Sequence, residues 1–323
     1  MPDQENREKE KLKEKEKERD RERELDKDRD REKDQREKDR EREKDQREKE
    51  KSPLTIALES PAPSSSHTVP KSASEAEEEA SHYFFGEPLV GFDPAEITGT
   101  LVVIEGMDGS GRSTQIALLQ EWLESEGFAV QTSGLRRSNL VGSDIDQLLA
   151  KNAVTRLTLA LMYATDFFDQ VEHRILPALR SGTVVLADRF IFTLIARGVV
   201  RGINRDYMTG LYAMALRPHL TFWLNVRPET AFGREFKKSQ AISYWEAGRD
   251  MSLSHDLYWS FIRYQTMIKR EFEVMAKRHG FIELDGEASV AAVNKQLRQR
   301  IGEQLGIRAT KYTPSSALAH LWR

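Results

Sequence analysis

A short glycine-rich segment is the feature that most strongly limits how this chain can fold. It reads Gly106-Met-Asp-Gly-Ser-Gly-Arg-Ser113, follows the apolar run Leu101-Val-Val-Ile104 and precedes an amphipathic stretch from Gln115 to Glu124. The order predicts a strand, a tight loop and a helix, whose backbone N–H groups and positive helix end would surround a phosphate. A plain Gly-rich turn is the structural alternative. The predicted phosphate-binding residues are Gly106, Met107, Asp108, Gly109, Ser110, Gly111, Arg112, Ser113 and Thr114.

The spacing fits the pattern G-x-x-x-x-G-K-[ST], except that Arg112 replaces the lysine. In such loops the cation reaches the terminal phosphates of a nucleotide and the hydroxyl, here that of Ser113, binds magnesium. Arginine keeps the charge but is a wider, planar group than an ammonium. We therefore expect phosphate binding to survive the exchange more readily than the accurate placement of a transition state.

Charge divides the chain into unlike parts. Residues 1–51 contain 21 basic and 22 acidic residues. Too few of the other residues are apolar to offset the entropy lost on folding. This composition predicts a charged tail that is disordered or helical. Residues 52–94 form a Pro/Ser-rich linker, in which the aromatic residues 83–85 are expected to pack on the outside of the domain. Residues 95–306 are the predicted domain and 307–323 a C-terminal tail.

Composition also excludes several classes of function. The chain has no cysteine, which rules out a disulfide framework, a thiolate zinc site and a cysteine nucleophile. The formal net charge of −3 gives no electrostatic reason to expect nucleic-acid binding. Neither a secretory signal nor a membrane span is recognisable, so we expect no membrane association and a cytoplasmic location.

Apolar strands alternate with amphipathic helices through the predicted domain. This order is typical of an α/β fold, here a P-loop NTPase-type parallel sheet of about five strands with helices on both faces. Ligands of such sheets bind at the carboxyl ends of the strands. The other strands are predicted from Ala129 and over 183–187, 220–224 and 281–284, and the other helices over 155–180, 228–238, 254–279 and 287–305.

Four features in sequence order resemble the thymidylate kinase family of P-loop nucleoside monophosphate kinases, over residues 100–305. They are the loop from Ile104 to Thr114, the stretch Tyr163-Ala-Thr-Asp166 followed by Pro177-Ala-Leu179, the motif Asp188-Arg189-Phe190, and a basic lid segment from Arg234 to Arg249. The resemblance implies ATP and Mg²⁺ as cofactors, a homodimer, and transfer of the γ-phosphoryl group to dTMP or a related nucleotide.

The resemblance also implies a role for individual residues. Asp108 would contact the sugar hydroxyl of the acceptor, Arg189 its phosphate, and Tyr163 its base. Asp188 would orient Arg189 or a magnesium-bound water, which makes Ser113 and Asp188 the metal candidates. The structural alternatives are a local ion pair between Asp188 and Arg189 and a half-buried helix aromatic at Tyr163.

Charge on the transferring group would be neutralised from the lid segment, because Gly109 stands where some family members carry a basic residue. The available cations are Arg234, Lys237, Lys238 and Arg249. The two lysines also fit a solvated helix end. The candidate catalytic set is Arg112, Asp188, Arg189, Arg234 and Arg249.

Base recognition is where the sequence departs from the family. Phe167 occupies the position of an arginine that reads a base carbonyl, and the stretch Ala196-Arg197-Gly198 lacks the family's glutamine. Hydrogen-bond readout discriminates most sharply between substrates, so Arg197 is a candidate relocated donor. Arg136 or Arg137 could grip the acceptor phosphate. The candidate acceptor-binding set is Asp108, Tyr163, Phe167, Arg189, Arg197 and Arg137.

Two other functions stay open from the sequence alone. One is a nucleotide-binding module with weakened turnover, whose charged tail binds an unknown partner. The other is the same chemistry on an acceptor that is not a nucleotide.

Overall fold

A computed structural model describes residues 82–307 and 312–322. The predicted charged tail over 1–51 and most of the predicted linker lie outside the described residues, so both stay predictions, as do the domain boundaries. In the described part of the chain, no helix combines the length and apolar character that crossing a bilayer requires.

The centre of the fold is a sheet of five strands, all parallel, in the order β2-β3-β1-β4-β5. The strands are β1 (Thr100–Glu105), β2 (Val130–Gly134), β3 (Val184–Asp188), β4 (Leu220–Asn225) and β5 (Ile282–Asp285). Ile104 pairs in register with Asp188 on one side and Phe222 on the other. The carboxyl ends of β1 and β3 therefore lie level with each other. The parallel pairing of all five strands confirms the predicted α/β parallel sheet.

Helices cover both faces of the sheet. They are α1 (Arg112–Ser125), α2 (Gly142–Ala150), α3 (Arg156–Gln170), α4 (Leu176–Arg180), α5 (Ile191–Val200), α6 (Arg205–Leu211), α7 (Pro228–Ser239), α8 (Leu257–His279) and α9 (Val290–Leu305). A single π-helical turn, Val171–Ile175, joins α3 to α4. The predicted 155–180 helix is therefore one nearly continuous rod.

Alternation along β1 divides the core into two layers. Leu101 and Val103 pack with α3, α5 and α8, whereas Val102 and Ile104 pack with α1 and α9. Successive side chains of a strand point to opposite faces, so one short apolar run serves both layers.

Three helices, α2, α5 and α6, are absent from the sequence prediction. The clearest case is α5, whose sequence Ile-Phe-Thr-Leu-Ile-Ala-Arg-Gly-Val-Val is buried at eight positions on all sides. Its first six residues are almost all apolar, and a short apolar run does not reveal whether it is a helix or a strand.

The expected position of residues 83–85 is wrong at Phe84. Its side chain is fully buried in the layer of α3, α5 and α8, and its backbone forms an antiparallel bridge to Leu216. Phe84 also makes an edge contact with Phe92, with ring centroids 4.7 Å apart. The segment before the sheet therefore contributes to the core rather than lying on the outside.

Candidate active site

A cleft of about 1270 Å³ opens at the carboxyl ends of the strands. The glycine-rich loop forms its floor, and residues from α3, α5, α7 and the β5–α9 connection form its walls. The sheet order places β2 and β3 on one side of β1 and β4 and β5 on the other. The cleft therefore has two ends, one toward α3 and α5 and one toward the β5–α9 connection.

Backbone geometry explains two of the loop glycines. Gly109 has φ +78° and Gly111, the N-cap of α1, has φ +94°, a left-handed conformation that side chains rarely adopt. A Cβ at Gly109 would also collide with the carbonyl oxygen of Ala231 on the first turn of α7. The basic residue found in mid-loop in some family members has no room here.

Arg112 is the first residue of α1, directly after the loop, and is 6% exposed. Its Nη1 donates to the carbonyl oxygen of Gly106 at 2.6 Å and to that of Met107, and its Nε donates to Asp188 Oδ1 at 2.9 Å. Among the described residues, nothing accepts a hydrogen bond from Nη2. Two of the three guanidinium nitrogens thus stabilise the loop, and the third is available to a phosphate.

Ser113 and Asp188 meet directly, because Ser113 Oγ donates to Asp188 Oδ2 at 2.6 Å. Burial alone would raise the pKa of Asp188, but the charges of Arg112 and Arg189 outweigh it and hold the pKa below its ordinary value. A hydroxyl beside an ionised carboxylate fits Mg²⁺, which takes few protein ligands when a nucleotide supplies phosphate oxygens. Among the described residues no group of three acidic, His or Cys side chains forms a separate metal site.

The Asp108 carboxylate accepts four hydrogen bonds from three side chains around the cleft. Arg189 Nη2 donates to Oδ1, Arg197 Nη2 donates to both oxygens at 3.2 and 3.1 Å, and Gln265 Nε2 donates to Oδ2 at 3.2 Å. Burial would raise the pKa of Asp108, but the charges of Arg189, Arg197 and Arg112 together lower it far below its usual range. A carboxylate offers about four acceptor positions, and these donors occupy all of them.

The motif after β3 is held in an uncommon conformation. Arg189 has φ +77°, unusual for a residue with a side chain, and its N–H donates to Ile104 O at 3.1 Å. Glu105, at the end of β1, accepts from the N–H groups of Phe190 and Thr193 at 2.9 and 3.1 Å. Burial raises the pKa of Glu105. The sequence prediction missed Glu105, although an acidic residue ending an apolar strand beside the loop was visible.

A second buried carboxylate, to which the sequence assigned no role of its own, shapes the loop after β2. Asp166 accepts from the N–H groups of Arg136 and Ser138 at 2.7 and 2.9 Å, and burial raises its pKa. Arg136 and Arg137 both line the cleft. Arg136 is paired with Asp146 at 2.7 Å, whereas within the part of the chain that the structure describes the Arg137 side chain makes one hydrogen bond, to Thr132 Oγ1 at 3.3 Å.

Most of the predicted residues converge on the cleft. Those that line it are Asp108, Gly109, Ser110, Gly111, Arg112, Ser113, Thr114, Arg137, Tyr163, Asp188, Arg189, Arg197, Arg234 and Lys238. Gly106 and Met107 do not line the cleft and instead supply the carbonyl oxygens that receive Arg112. Lys237 is exposed and does not line it.

Phe167 and Arg249 also lie away from the cleft lining. Phe167 is 5% exposed and makes edge contacts with Phe190 and Tyr212, at 5.0 and 5.6 Å between ring centroids. Arg249 donates to the carbonyl oxygen of His255 at 2.7 Å and does not line the cleft. The structure therefore corrects both expected positions. The apolar ring of Phe167 is more stable packed in the core than at the cleft surface. Arg249, at the end of the lid segment, is hydrogen-bonded within its own loop.

The lid segment, residues 234–249, is fastened by a network that the sequence did not reveal. Arg201, at the end of α5, pairs with Asp250 directly after the lid at 2.9 Å and donates to Tyr264 Oη at 2.6 Å and to Trp245 O at 3.0 Å. Trp245 Nε1 donates to Leu149 O at 3.0 Å, across the cleft mouth. These contacts hold the lid over the end of the cleft toward α3 and α5.

A parallel sheet, a glycine-rich loop with its hydroxyl, and buried arginines facing the same cleft define a P-loop enzyme that transfers phosphoryl groups. A family model described as "Thymidylate kinase" matches residues 104–297. The "Probable thymidylate kinase 2" of Saccharolobus solfataricus is 37% identical over 208 residues, which cover 64% of this chain and 97% of that protein. The "Thymidylate kinase" of Synechococcus sp. is 31% identical over 222 residues, 65% of this chain and 100% of that protein. The chain belongs to the thymidylate kinase family and is a kinase.

Proposed function

We propose that the protein transfers the γ-phosphoryl group of ATP to dTMP, giving ADP and dTDP. A phosphate oxygen of the acceptor forms the new bond to the γ-phosphorus as the bond to the leaving ADP oxygen breaks, without a covalent enzyme intermediate. The observation that carries the proposal is the buried cluster of Asp108, Arg189 and Arg197 beside the phosphate loop. The relatives named thymidylate kinases support dTMP as the acceptor.

The donor triphosphate would lie along the loop. Loop N–H groups and Arg112 Nη2 would bind its phosphates, and Ser113 and Asp188 would hold Mg²⁺, Asp188 through a water molecule. The metal, when bound, neutralises charge on the phosphate oxygens. Arg234 and Lys238 are the lid cations that line the cleft, so we favour them over Arg249 for contact with the moving group.

The acceptor phosphate would be bound by Arg189. Because Asp108 already accepts four hydrogen bonds, it has no acceptor position left for a sugar hydroxyl. Turning of Arg189 from Asp108 to the acceptor phosphate would free Oδ1 for that hydroxyl. Binding of the phosphate and of the sugar would then be linked through one arginine.

The base would stack on Tyr163, which lines the same end of the cleft and is 7% exposed. Arg197 is the available donor for a base carbonyl in place of the family's arginine and glutamine. Burial alone would lower the pKa of Arg197, but the negative charge of Asp108 outweighs it and raises that pKa, so the side chain stays charged. Arg137, with its weakly bonded side chain, would support the acceptor phosphate.

Release of ADP by the full chain, with ATP, Mg²⁺ and a panel of nucleoside monophosphates, tests the proposal. We expect the highest kcat/KM with dTMP, a loss of about 100-fold or more in Arg189→Ala, and weaker preference for dTMP over the other pyrimidine monophosphates in Arg197→Ala. Arg300→Ala, on the exposed face of α9, is the matched control and should keep full turnover. Equal rates with all acceptors, or an unaffected Arg189→Ala, would contradict the proposal.

The names of the relatives give no support to a binding module without turnover. The homodimer, a partner for the charged tail and the cytoplasmic location stay predictions.

A further inference from the structure

The end of the cleft opposite the acceptor is partly formed by the C-terminal segment, residues 312–322. Leu321, in a short turn over Ala319–Leu321, lines the cleft together with Ala288, Ser289, Val290 and Val293 of the β5–α9 connection and α9. The family model ends at residue 297. Leu321 and the C-terminal segment therefore lie outside the part of the chain that the family model describes.

The segment is held in place by a specific set of contacts. Glu121 on α1 accepts hydrogen bonds from Tyr312 Oη and from the N–H of Ser315, both at 2.8 Å, and from Ser315 Oγ. The Arg298 guanidinium lies 5.1 Å from the centre of the Tyr312 ring. Trp322 makes an edge contact with Tyr312, with ring centroids 5.9 Å apart. Leu321 is thus positioned by a docked segment with polar and aromatic contacts on both α1 and α9.

The sheet order decides which ligand group would meet Leu321. Asp108, Arg189 and Arg197 mark the acceptor end, and Arg189 and Arg197 follow β3. The β5–α9 connection lies on the other side of β1, with β4 in between. A triphosphate on the loop must extend its nucleoside away from the acceptor, so the flat base would reach the apolar side chains of Val290 and Leu321.

We propose that the C-terminal segment forms one wall of the donor-base site and thereby sets the affinity for the aromatic base of the nucleoside triphosphate. The inference rests on the proposed function, which assigns the acceptor to the opposite end. A wall of this kind acts on the base alone. The phosphates are bound by the loop, to which the segment makes no hydrogen bond among the described residues.

Calorimetric titration of the full chain with Mg·ATP and, separately, with magnesium tripolyphosphate tests the inference. Leu321→Ala removes the contact, and Glu121→Ala releases the segment without changing Leu321. Val274→Ala, an aliphatic residue 52% exposed on α8 and away from the cleft, is the matched control. We expect the Kd for ATP to rise about three- to tenfold in the first two variants, with tripolyphosphate and the control unchanged.

Three results would overturn the inference. An unchanged Kd for ATP in both variants would show that the segment does not touch the donor. An equal loss of ATP and tripolyphosphate affinity would show a general disturbance of the loop. A wild-type chain that binds neither ligand would remove the proposed function itself, and with it this inference.

Discussion

The arginine that replaces the usual lysine of the phosphate loop is held by hydrogen bonds to the loop itself. Arg112 gives two of its nitrogens to loop carbonyls and Asp188, a task that a lysine ammonium could fulfil only in part. Among the described residues the remaining nitrogen has no acceptor, and we propose that it donates to the donor phosphates. Arg112 would then combine a structural role with a binding role.

Substitution of Arg112 separates these roles. Arg112→Met should lower kcat/KM for ATP about 100-fold, because it removes both the charge at the phosphates and the partner of Asp188. Arg112→Lys should stay within about tenfold of the wild type, since the charge is kept. Steady-state kinetics with varied ATP measure both, with Arg300→Met as the control. Full activity in Arg112→Met would show that the guanidinium takes no part in donor binding.

The sequence predicted the cleft residues well where a residue type has one characteristic chemical use. Glycines, the loop hydroxyl and the Asp188-Arg189 pair have few other uses at the end of an apolar strand. Glu105 was missed, and Asp166 was assigned no role of its own, because their partners are backbone N–H groups that only the folded chain brings to them. Phe167 was misplaced because its side chain follows packing rather than the family pattern.

Among the elements, α5 connects the end of the cleft that we propose for the acceptor to the lid segment. It carries Arg197 at the cleft, and Arg201 follows its last turn and fastens the lid through Asp250. Its nearly continuous apolar sequence does not by itself distinguish a short helix from a buried strand. The sequence therefore predicted Arg197 as a site residue without predicting the helix that positions it.

The Arg201–Asp250 pair is buried, with side chains 6% and 9% exposed, so breaking it should be costly. Arg201→Met should lower the free energy of unfolding by about 3–5 kcal/mol, because Asp250 is left buried without its partner. The double variant Arg201→Met, Asp250→Leu should recover most of this loss. Urea denaturation measures all three proteins. A double variant no more stable than the single one would contradict this account.

At the scale of the whole molecule, the parallel sheet follows from the alternation of strands and helices and was predicted from sequence. The strand order was not predicted, because apolar strands of similar sequence do not reveal which strands pair with each other in the sheet. The order matters for the proposed function, since it separates the proposed acceptor end of the cleft from the β5–α9 end.

Stability should also depend on pH through His219, just before β4. Its Nδ1 accepts a hydrogen bond from the N–H of Leu101 at 3.0 Å, and burial lowers its pKa below the ordinary 6.5. Because the unfolded chain takes up a proton more readily, the stabilising contribution is complete above pH 6.5 and is lost as the pH falls toward the folded-state pKa.

Thermal unfolding measured between about pH 7.5 and about pH 5.5 tests this dependence, because this range brackets the ordinary histidine pKa of about 6.5. His219→Asn keeps an acceptor for Leu101 without a titrating group, so its Tm should fall less with decreasing pH than that of the wild type. His279→Asn serves for comparison, because burial also lowers the pKa of His279. Identical pH profiles for wild type and His219→Asn would contradict the assignment to His219.

The most direct test of the central claim follows the transferred phosphorus itself. ³¹P NMR of the full chain with ATP, Mg²⁺ and dTMP should show dTDP and ADP appearing in equal amounts, and neither should appear when dTMP is left out. Bound ATP with no dTDP formed, or ADP released together with free phosphate instead of dTDP, would contradict the account.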